Sequence, residues 1–462
     1  MTSRSLFDFP EPGSIPVRPL RKAELAGFLS EARPSVKRWL EATRFEIEPG
    51  KHRLVPGSDG ELSEVILGLG EEASPWDWAA LPLDLPAGAY FASRALSAKD
   101  ADAAALGFAL GSYRFDRLRK PAEKELARLA WPEGARRRRV ESAVEATFLV
   151  RDLINTPASD MGPAELAASG EELARKCGGK ARILVGEELL KEGYPAIHAV
   201  GRAASPDRAP RLIDLELGDP GMPRLTLVGK GVCFDTGGLD LKPSNQMKLM
   251  KKDMGGAAHV LGLASMIRAA EIPVQLRVLI PAVENSVSGA SLRPLDVVRT
   301  RKGTTIEIGN TDAEGRVILA DALAEASTES PALLIDFATL TGAARVALGA
   351  ELPALFCNHD ATAGALLAKA DTESDPLWRM PLYQPYRKQI DSKVADLTNS
   401  TESPLAGAIT AALFLQEFVR PGIPWAHVDL MAWNVSSRPG RPEGGEAMGL
   451  RAAFALIEER FR

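Results

Sequence analysis

The chain has 462 residues, a formal net charge of −5 and 45% hydrophobic residues. That length predicts more than one domain with a sizeable core, and the mild acidity argues against general nucleic-acid affinity. No apolar run reaches the roughly 18 residues of a membrane-spanning helix, and three cysteines (Cys177, Cys233, Cys357) without C-x-x-C spacing suit a reducing, cytoplasmic setting.

The first segment, Met1 to Lys22, is interrupted by Pro10, Pro12, Pro16 and Pro19 and has no hydrophobic signal region. Residues 1–130 carry no recognisable chemistry, and Gly68-Leu69-Gly70 has no support as a dinucleotide site. The run Arg136 to Arg139 opens a stretch in which Val140, Val144, Thr147, Phe148 and Ile154 recur at helical spacing. That spacing predicts a connecting helix ending near Asn155-Thr156-Pro157, with the arginines on a solvated or intersubunit face. Beyond it, buried-strand segments at 225–228, 274–280, 333–338 and 425–430 alternate with helical stretches at 255–270, 317–328 and 407–419. This is an α/β pattern with a sheet covered on both faces.

Charged residues cluster where that pattern would place a ligand. Lys230, Asp235 and Lys242 stand on a glycine-punctuated loop after the strand at 225–228, and Asp253 precedes the next helix. In open α/β sheets the carboxyl ends of strands bind ligands. The segment Asn310-Thr311-Asp312-Ala313-Glu314-Gly315-Arg316 reads as an extended run with Asp312, Glu314 and Arg316 on one side. An arbitrary D-x-E is more often a solvated pair, but the apolar flanks Ile306, Ile308 and Val317 to Leu319 imply burial, and buried carboxylates need partners. Two hard oxygen ligands beside a guanidinium fork suit a metal site that handles a carbonate-like anion.

Other candidates read more blandly. The five histidines (His52, His198, His259, His359, His427) form no H-x-x-x-H pair, which weighs against a zincin-type site. His427 reads as a hydrogen-bonded core residue and Cys233 as a small buried filler. Gly229-Lys230-Gly231 lacks the remaining positions of a phosphate loop.

Taken together, the motifs resemble the leucyl aminopeptidase (cytosol aminopeptidase) family of two-metal exopeptidases. The resemblance rests on Asn310 to Arg316, on Val228-Gly229-Lys230-Gly231 through Phe234-Asp235-Thr236-Gly237-Gly238 to Lys242, and on Asp253-Met254-Gly255-Gly256. It extends over Glu284-Asn285, Ala338-Thr339-Leu340-Thr341-Gly342 and Ala406 to Ala412, and so over residues 150–450. It implies a smaller N-terminal α/β domain (1–130), a connecting helix (131–155) and a larger catalytic α/β domain (156–462) whose central sheet is mixed, mostly parallel and covered by helices.

By the same resemblance Asp312 and Glu314 are metal ligands, Asp235 bridges two ions, and Asp253 and Lys230 complete the second site. Lys242 and Arg316 are catalytic, while Met250, Thr339, Leu340 and Gly342 line the bound peptide. The implied cofactors are two divalent ions per subunit (Mn or Zn, with Mg or Co as alternatives) and bicarbonate. The implied activity is release of N-terminal residues, leucine and similar ones favoured, from peptides with a free amino terminus by a homohexamer; some family members also bind DNA, which the reading of Arg136 to Arg139 as a solvated or intersubunit face disfavours here. The chain departs from the family pattern at Val317, at Met431-Ala432 and over Pro442 to Arg451, which leaves the side-chain preference open.

The chemistry is sound on general grounds. Two divalent ions about 3.5–4 Å apart activate a bridging water and polarise a peptide carbonyl. Lys230 ligates only as a neutral amine, which adjacent cations favour. Lys242 keeps its proton and faces the developing oxyanion, and a bicarbonate held by Arg316 accepts the proton of the water. Competing readings are a two-metal phosphoesterase and a DNA-binding relative with a lapsed site, and the intact set of seven charged positions weighs against the latter.

Overall fold

Leu225, Leu227 and Val228, like Leu333 to Phe337, are fully buried, and these runs form the central strands Arg224–Gly229 and Leu333–Ala338. Burial on both faces is what a parallel sheet between helices requires, and it explains the near-continuous apolar runs. The computed structural model describes residues 7–8, 12–120 and 125–462. Part of the proline-interrupted start, including Pro10, lies outside them.

The chain divides into two compact units, Met1–Phe148 with Ser436–Glu443, and Leu149–Val435 with Gly444–Arg462. In the first, six strands lie in the order Phe7–Asp8, Arg128–Ala130, Ala89–Ala92, Ile15–Arg21, Leu62–Leu69, His52–Pro56. All neighbours are parallel except the last pair. Helices Pro34–Ala42 and Ala98–Gly111 belong to the same unit, the latter capped by Ser97, whose hydroxyl accepts from Asp100 N.

The second unit is built on a nine-stranded sheet. Its order is Trp378–Arg379, Ala354–Cys357, Trp425–Asp429, Leu333–Ala338, Arg224–Gly229, Gln275–Asn285, Arg211–Gly218, Lys180–Val185. Gly231–Asp235 pairs in parallel with the far half of Gln275–Asn285. The four central strands are mutually parallel, and antiparallel pairings occur toward both edges. The strand expected at 274–280 runs on to Asn285, and this extension brings Asn285 level with Asp235. Helices Gly255–Ala269 and Glu314–Thr328 pack on this sheet with almost every residue buried. The helix Arg137–Asn155 leads from one unit into the other.

One expectation fails. Asn310 to Arg316 is not extended: Thr311 and Asp312 form a turn, and Glu314 opens the helix Glu314–Thr328. The apolar residues from Val317 onward recur at helical spacing, and that periodicity continues back through Glu314. Asp312 and Glu314 are therefore brought together by a helix start rather than by alternation along a strand. A carboxylate in the first turn is favoured there by the helix dipole.

A buried aspartate ties these elements together. Asp321, fully buried on the helix Glu314–Thr328, accepts from Ala196 N at 2.8 Å, Ile197 N at 3.2 Å and Arg301 N at 2.8 Å. The first two are amides at the start of the helix Pro195–Gly201, which has no partner for them of its own. Burial raises the Asp321 pKa to about 7, opposed by those three backbone bonds. Asp321→Ala would leave two buried N–H groups and one part-buried one unpaired, so a loss of about 2–4 kcal/mol in urea unfolding is expected. A change under about 0.5 kcal/mol, the level of a surface site, would contradict this assignment.

Candidate metal centre

The centre forms where the central strands end. Asp235 is the last residue of Gly231–Asp235, Lys230 is the single residue between that strand and Arg224–Gly229, and Asp253 lies on the short helical turn Met250–Met254. Close backbone packing makes this possible. A Cβ on Gly256 would strike the Phe337 carbonyl oxygen, and the space left by its hydrogen lets Lys230 N donate to Phe337 O at 3.0 Å. After Asp235, Gly237 and Gly238 take φ of +88° and +66°, a left-handed turn that glycine adopts at little cost. The turn lets Gly237 N donate to Asp235 Oδ1 at 2.9 Å.

Ligand atoms of Asp235, Asp312 and Glu314 lie within 4.8 Å of one another. Two lysines are embedded among these acids. Lys230 Nζ is 2.7 Å from Asp253 Oδ2 and 2.9 Å from Glu314 Oε1, and it donates to Thr339 O at 3.1 Å. Lys242 Nζ is 2.8 Å from Asp235 Oδ2 and also pairs with Asp312. Burial alone would lower both ammonium pKa values, but the surrounding carboxylates outweigh it and hold both above the ordinary lysine value.

The acids are strained electrostatically in the opposite sense. Burial, reinforced by Asp235, raises Asp312 to about 6 and Glu314 to about 8. Asp253 Oδ2, Asp312 Oδ1 and Glu314 Oε1 are buried and meet the ammonium groups at ion-pair range without hydrogen-bond alignment. Hard oxygens packed this closely, with lone pairs not taken up by donors, fit divalent cations. The donor set of four carboxylates and one amine is compatible with such ions on chemical grounds.

A cavity of about 300 Å³ opens on this cluster. Its lining includes Lys230, Asp235, Lys242, Asp253 and Asp312, and also Met250, Thr339, Leu340 and Gly342. Arg316 is not in the lining. It is half-buried, its Nε has no hydrogen-bond partner among the described residues, and burial lowers its pKa to about 10 against the pull of Glu314 and Asp429.

Supporting residues were less visible in the sequence. Asn285 Nδ2 donates to Asp235 Oδ1 at 2.8 Å and to Thr311 O at 3.1 Å. Thr339 Oγ1 donates to Asp253 Oδ1 at 2.7 Å. Asp240 Oδ2 accepts from Thr311 N at 2.7 Å, and fully buried Asn399 makes four hydrogen bonds across residues 309–313. Lys252 and Arg345 also line the cavity. Burial, with Arg345 and Lys230 as like charges, lowers Lys252 to about 7 although Asp253 and Asp429 oppose the shift. His427 is fully buried and its Nδ1 lies 2.6 Å from Asp336 Oδ1, which makes it a core residue distinct from the cluster.

Comparisons with known proteins agree with this geometry. Residues 148–454 match the cytosol aminopeptidase family, catalytic domain, and residues 15–132 match the M17 aminopeptidase, N-terminal domain. A probable cytosol aminopeptidase of Syntrophotalea carbinolica is 43% identical over 370 residues, covering 76% of this chain and 74% of the relative. One from Mycobacterium sp. (strain JLS) is 37% identical over 442 residues, covering 88% and 85%. The crystal structure of a cytosol aminopeptidase from Coxiella burnetii superposes with a TM-score of 0.94 at 51% identity, covering 99% of this chain and 100% of that one. The bottromycin maturation enzyme BotP in complex with Mn gives a TM-score of 0.87 at 34% identity, covering 98% and 100%. With both units matched along nearly their whole length and the charged motifs at one cavity, the chain belongs to the cytosol aminopeptidase family and is a peptide hydrolase.

Proposed function

We propose that the centre holds two divalent metal ions and removes N-terminal residues from peptides with a free amino terminus. The observation that carries this reading is the crowding of Asp235, Asp312 and Glu314, with ligand atoms within 4.8 Å, beside a cavity of about 300 Å³ that Asp235 and Asp312 line. Asp235 would bridge the ions, Asp312 and Glu314 would ligate them, and Asp253 with Lys230 would complete the second position. When bound, such ions supply an activated water and polarise the scissile carbonyl. Manganese or zinc suits this donor set, with magnesium or cobalt as alternatives. The manganese complex of BotP supports manganese as the first to try.

The chain's own groups do the rest. Asp253 is held by Thr339 Oγ1, and a carboxylate fixed in this way would serve as the acceptor for a substrate ammonium. Lys242 carries its proton and reaches the cluster from the Gly237–Gly238 turn, a position suited to an oxyanion. Arg316 would hold bicarbonate, a proton acceptor, with its unpaired Nε as the supporting observation. Met250, Thr339, Leu340 and Gly342 would form the walls against the peptide. A hexamer in the cytoplasm is the assembly and setting that this reading includes.

Chelation is expected to abolish hydrolysis of aminoacyl nitroanilides, and Mn or Zn to restore it. Full activity in protein shown metal-free by elemental analysis would rule the reading out. Metal affinity should rise with pH. Protons on Asp312 below about pH 6, on Glu314 below about pH 8 and on Lys230 throughout compete with the ion, so uptake should release protons measurable by calorimetry in buffers of different ionisation enthalpy. Binding that is indifferent to pH between 6 and 9 would count against these ligands.

The two lysines should separate. Lys230→Ala removes a ligand, so metal content should drop, with activity partly regained at high metal concentration. Lys242→Ala should keep its metal and lose about 10²–10³ in kcat, the usual effect of removing an oxyanion donor. Metal loss in Lys242→Ala with full occupancy in Lys230→Ala would reverse the assignments.

A further inference from the structure

Lys252 lines the cavity one residue before Asp253 but takes no part in the pairing just described. Its side chain is 1% exposed, and Nζ has no hydrogen-bond partner among the described residues. A buried lysine without a partner is costly to charge, and it keeps its proton best when an anion joins it, so its place beside the active cavity invites an explanation. The nearest acids are already occupied. Asp253 is taken by Lys230 and Thr339, and Asp429 accepts from Leu340 N, Thr341 N and Thr341 Oγ1.

The neighbouring charge on the other side is Arg345, also cationic, from the helix Gly342–Leu348. Its Nη2 lies 3.5 Å from the point where a Cβ on Gly342 would stand, so it reaches the wall beside that glycine. Of the four cationic side chains in the lining, Lys230 and Lys242 pair with the three carboxylates Asp235, Asp253 and Asp312. Lys252 and Arg345 also belong to the lining, and neither forms an ion pair among the described residues.

We propose that Lys252 and Arg345 form an anion-recognising wall, and that the enzyme prefers peptides whose first residue is glutamate or aspartate. This rests on the aminopeptidase reading. The wall is built by residues 250–253 and 339–345, next to the carboxylate that takes the substrate's ammonium. For a peptide whose ammonium is held at Asp253, the first side chain is the group we set against this wall. A site with buried cations rejects a neutral isostere strongly, because the cations are then left unpaired. The preference for leucine that the family resemblance implies gives way here to one for acidic residues.

The test compares kcat/KM on Glu-, Asp-, Gln- and Leu-p-nitroanilide with Mn-loaded protein, and L-glutamate against L-glutamine binding by calorimetry. Glu is expected to exceed Gln by at least about tenfold. Lys252→Met should lower Glu turnover about 10- to 100-fold while Gln and Leu change little, with Lys252→Arg recovering part of the loss. Arg345→Gln should act in the same direction. An unchanged melting temperature in Lys252→Met would separate these effects from misfolding, and Lys252→Arg carries the test alone if that variant does not fold.

Leu turnover equal to or above Glu, or a uniform loss on all substrates in Lys252→Met, overturns the proposal. So does a Lys252-dependent preference for Leu-Gly over Leu-Gly amide, which would assign the wall to the peptide's far carboxylate. Absence of turnover on every substrate would strike the aminopeptidase reading instead. Selective glutamate binding lost in Lys252→Met would then still uphold the anion wall.

Discussion

The second unit is organised around one electrostatic constraint: four carboxylates, Asp235, Asp253, Asp312 and Glu314, converge at the strand ends, three of them almost fully buried. Mutual repulsion in a low-dielectric setting would push such a cluster apart unless positive charge were placed within it. The chain does so with Lys230 and Lys242, each in contact with two of the acids. The protein can therefore fold around its site before any ion arrives. At Lys230, which would ligate only as a neutral amine, uptake of a cation would exchange one positive charge for another.

The fold serves this cluster through backbone geometry. Parallel central strands deliver Lys230, Asp235 and the 339–342 loop to one edge of the sheet, and a helix start delivers Glu314 there. Gly256 and the Gly237–Gly238 turn are where the main chain approaches most closely or reverses. The polar groups around the acids are each engaged twice or more. Asn285 holds both Asp235 and Thr311, and Thr339 meets Asp253 through its hydroxyl and Lys230 through its carbonyl. Such shared partners fix the ligand rotamers and narrow the geometry an ion would meet.

The central strands and their helices were legible because burial on both faces leaves an uninterrupted apolar record, as at Leu333 to Phe337. The charged residues of the cluster were legible because glycines and acids stand at close spacing in two segments. The local conformation of Asn310 to Arg316 was not. An alternation of two acids and an arginine fits a strand, and only the longer apolar period after it reveals a helix. Lys252 escaped notice for another reason: in sequence it is one more lysine in a run of two, and only its burial and want of a partner set it apart. Asn399 and Asp240 are similarly silent, since a side chain that secures a loop some 70 to 90 residues away leaves no local pattern.

The four hydrogen bonds from Asn399 have a temporal meaning. Its amide clasps Gly309 N, Asn310 N, Asn310 O and Ala313 O, the turn that carries Asp312 into the cluster. During synthesis, Asn399 follows that turn by nearly ninety residues, and the strand Trp425–Asp429 that completes the parallel core follows later still. Completing the turn that carries Asp312 therefore depends on a residue nearly ninety positions further along the chain, which ties the assembly of the acidic cluster to the chain's last third.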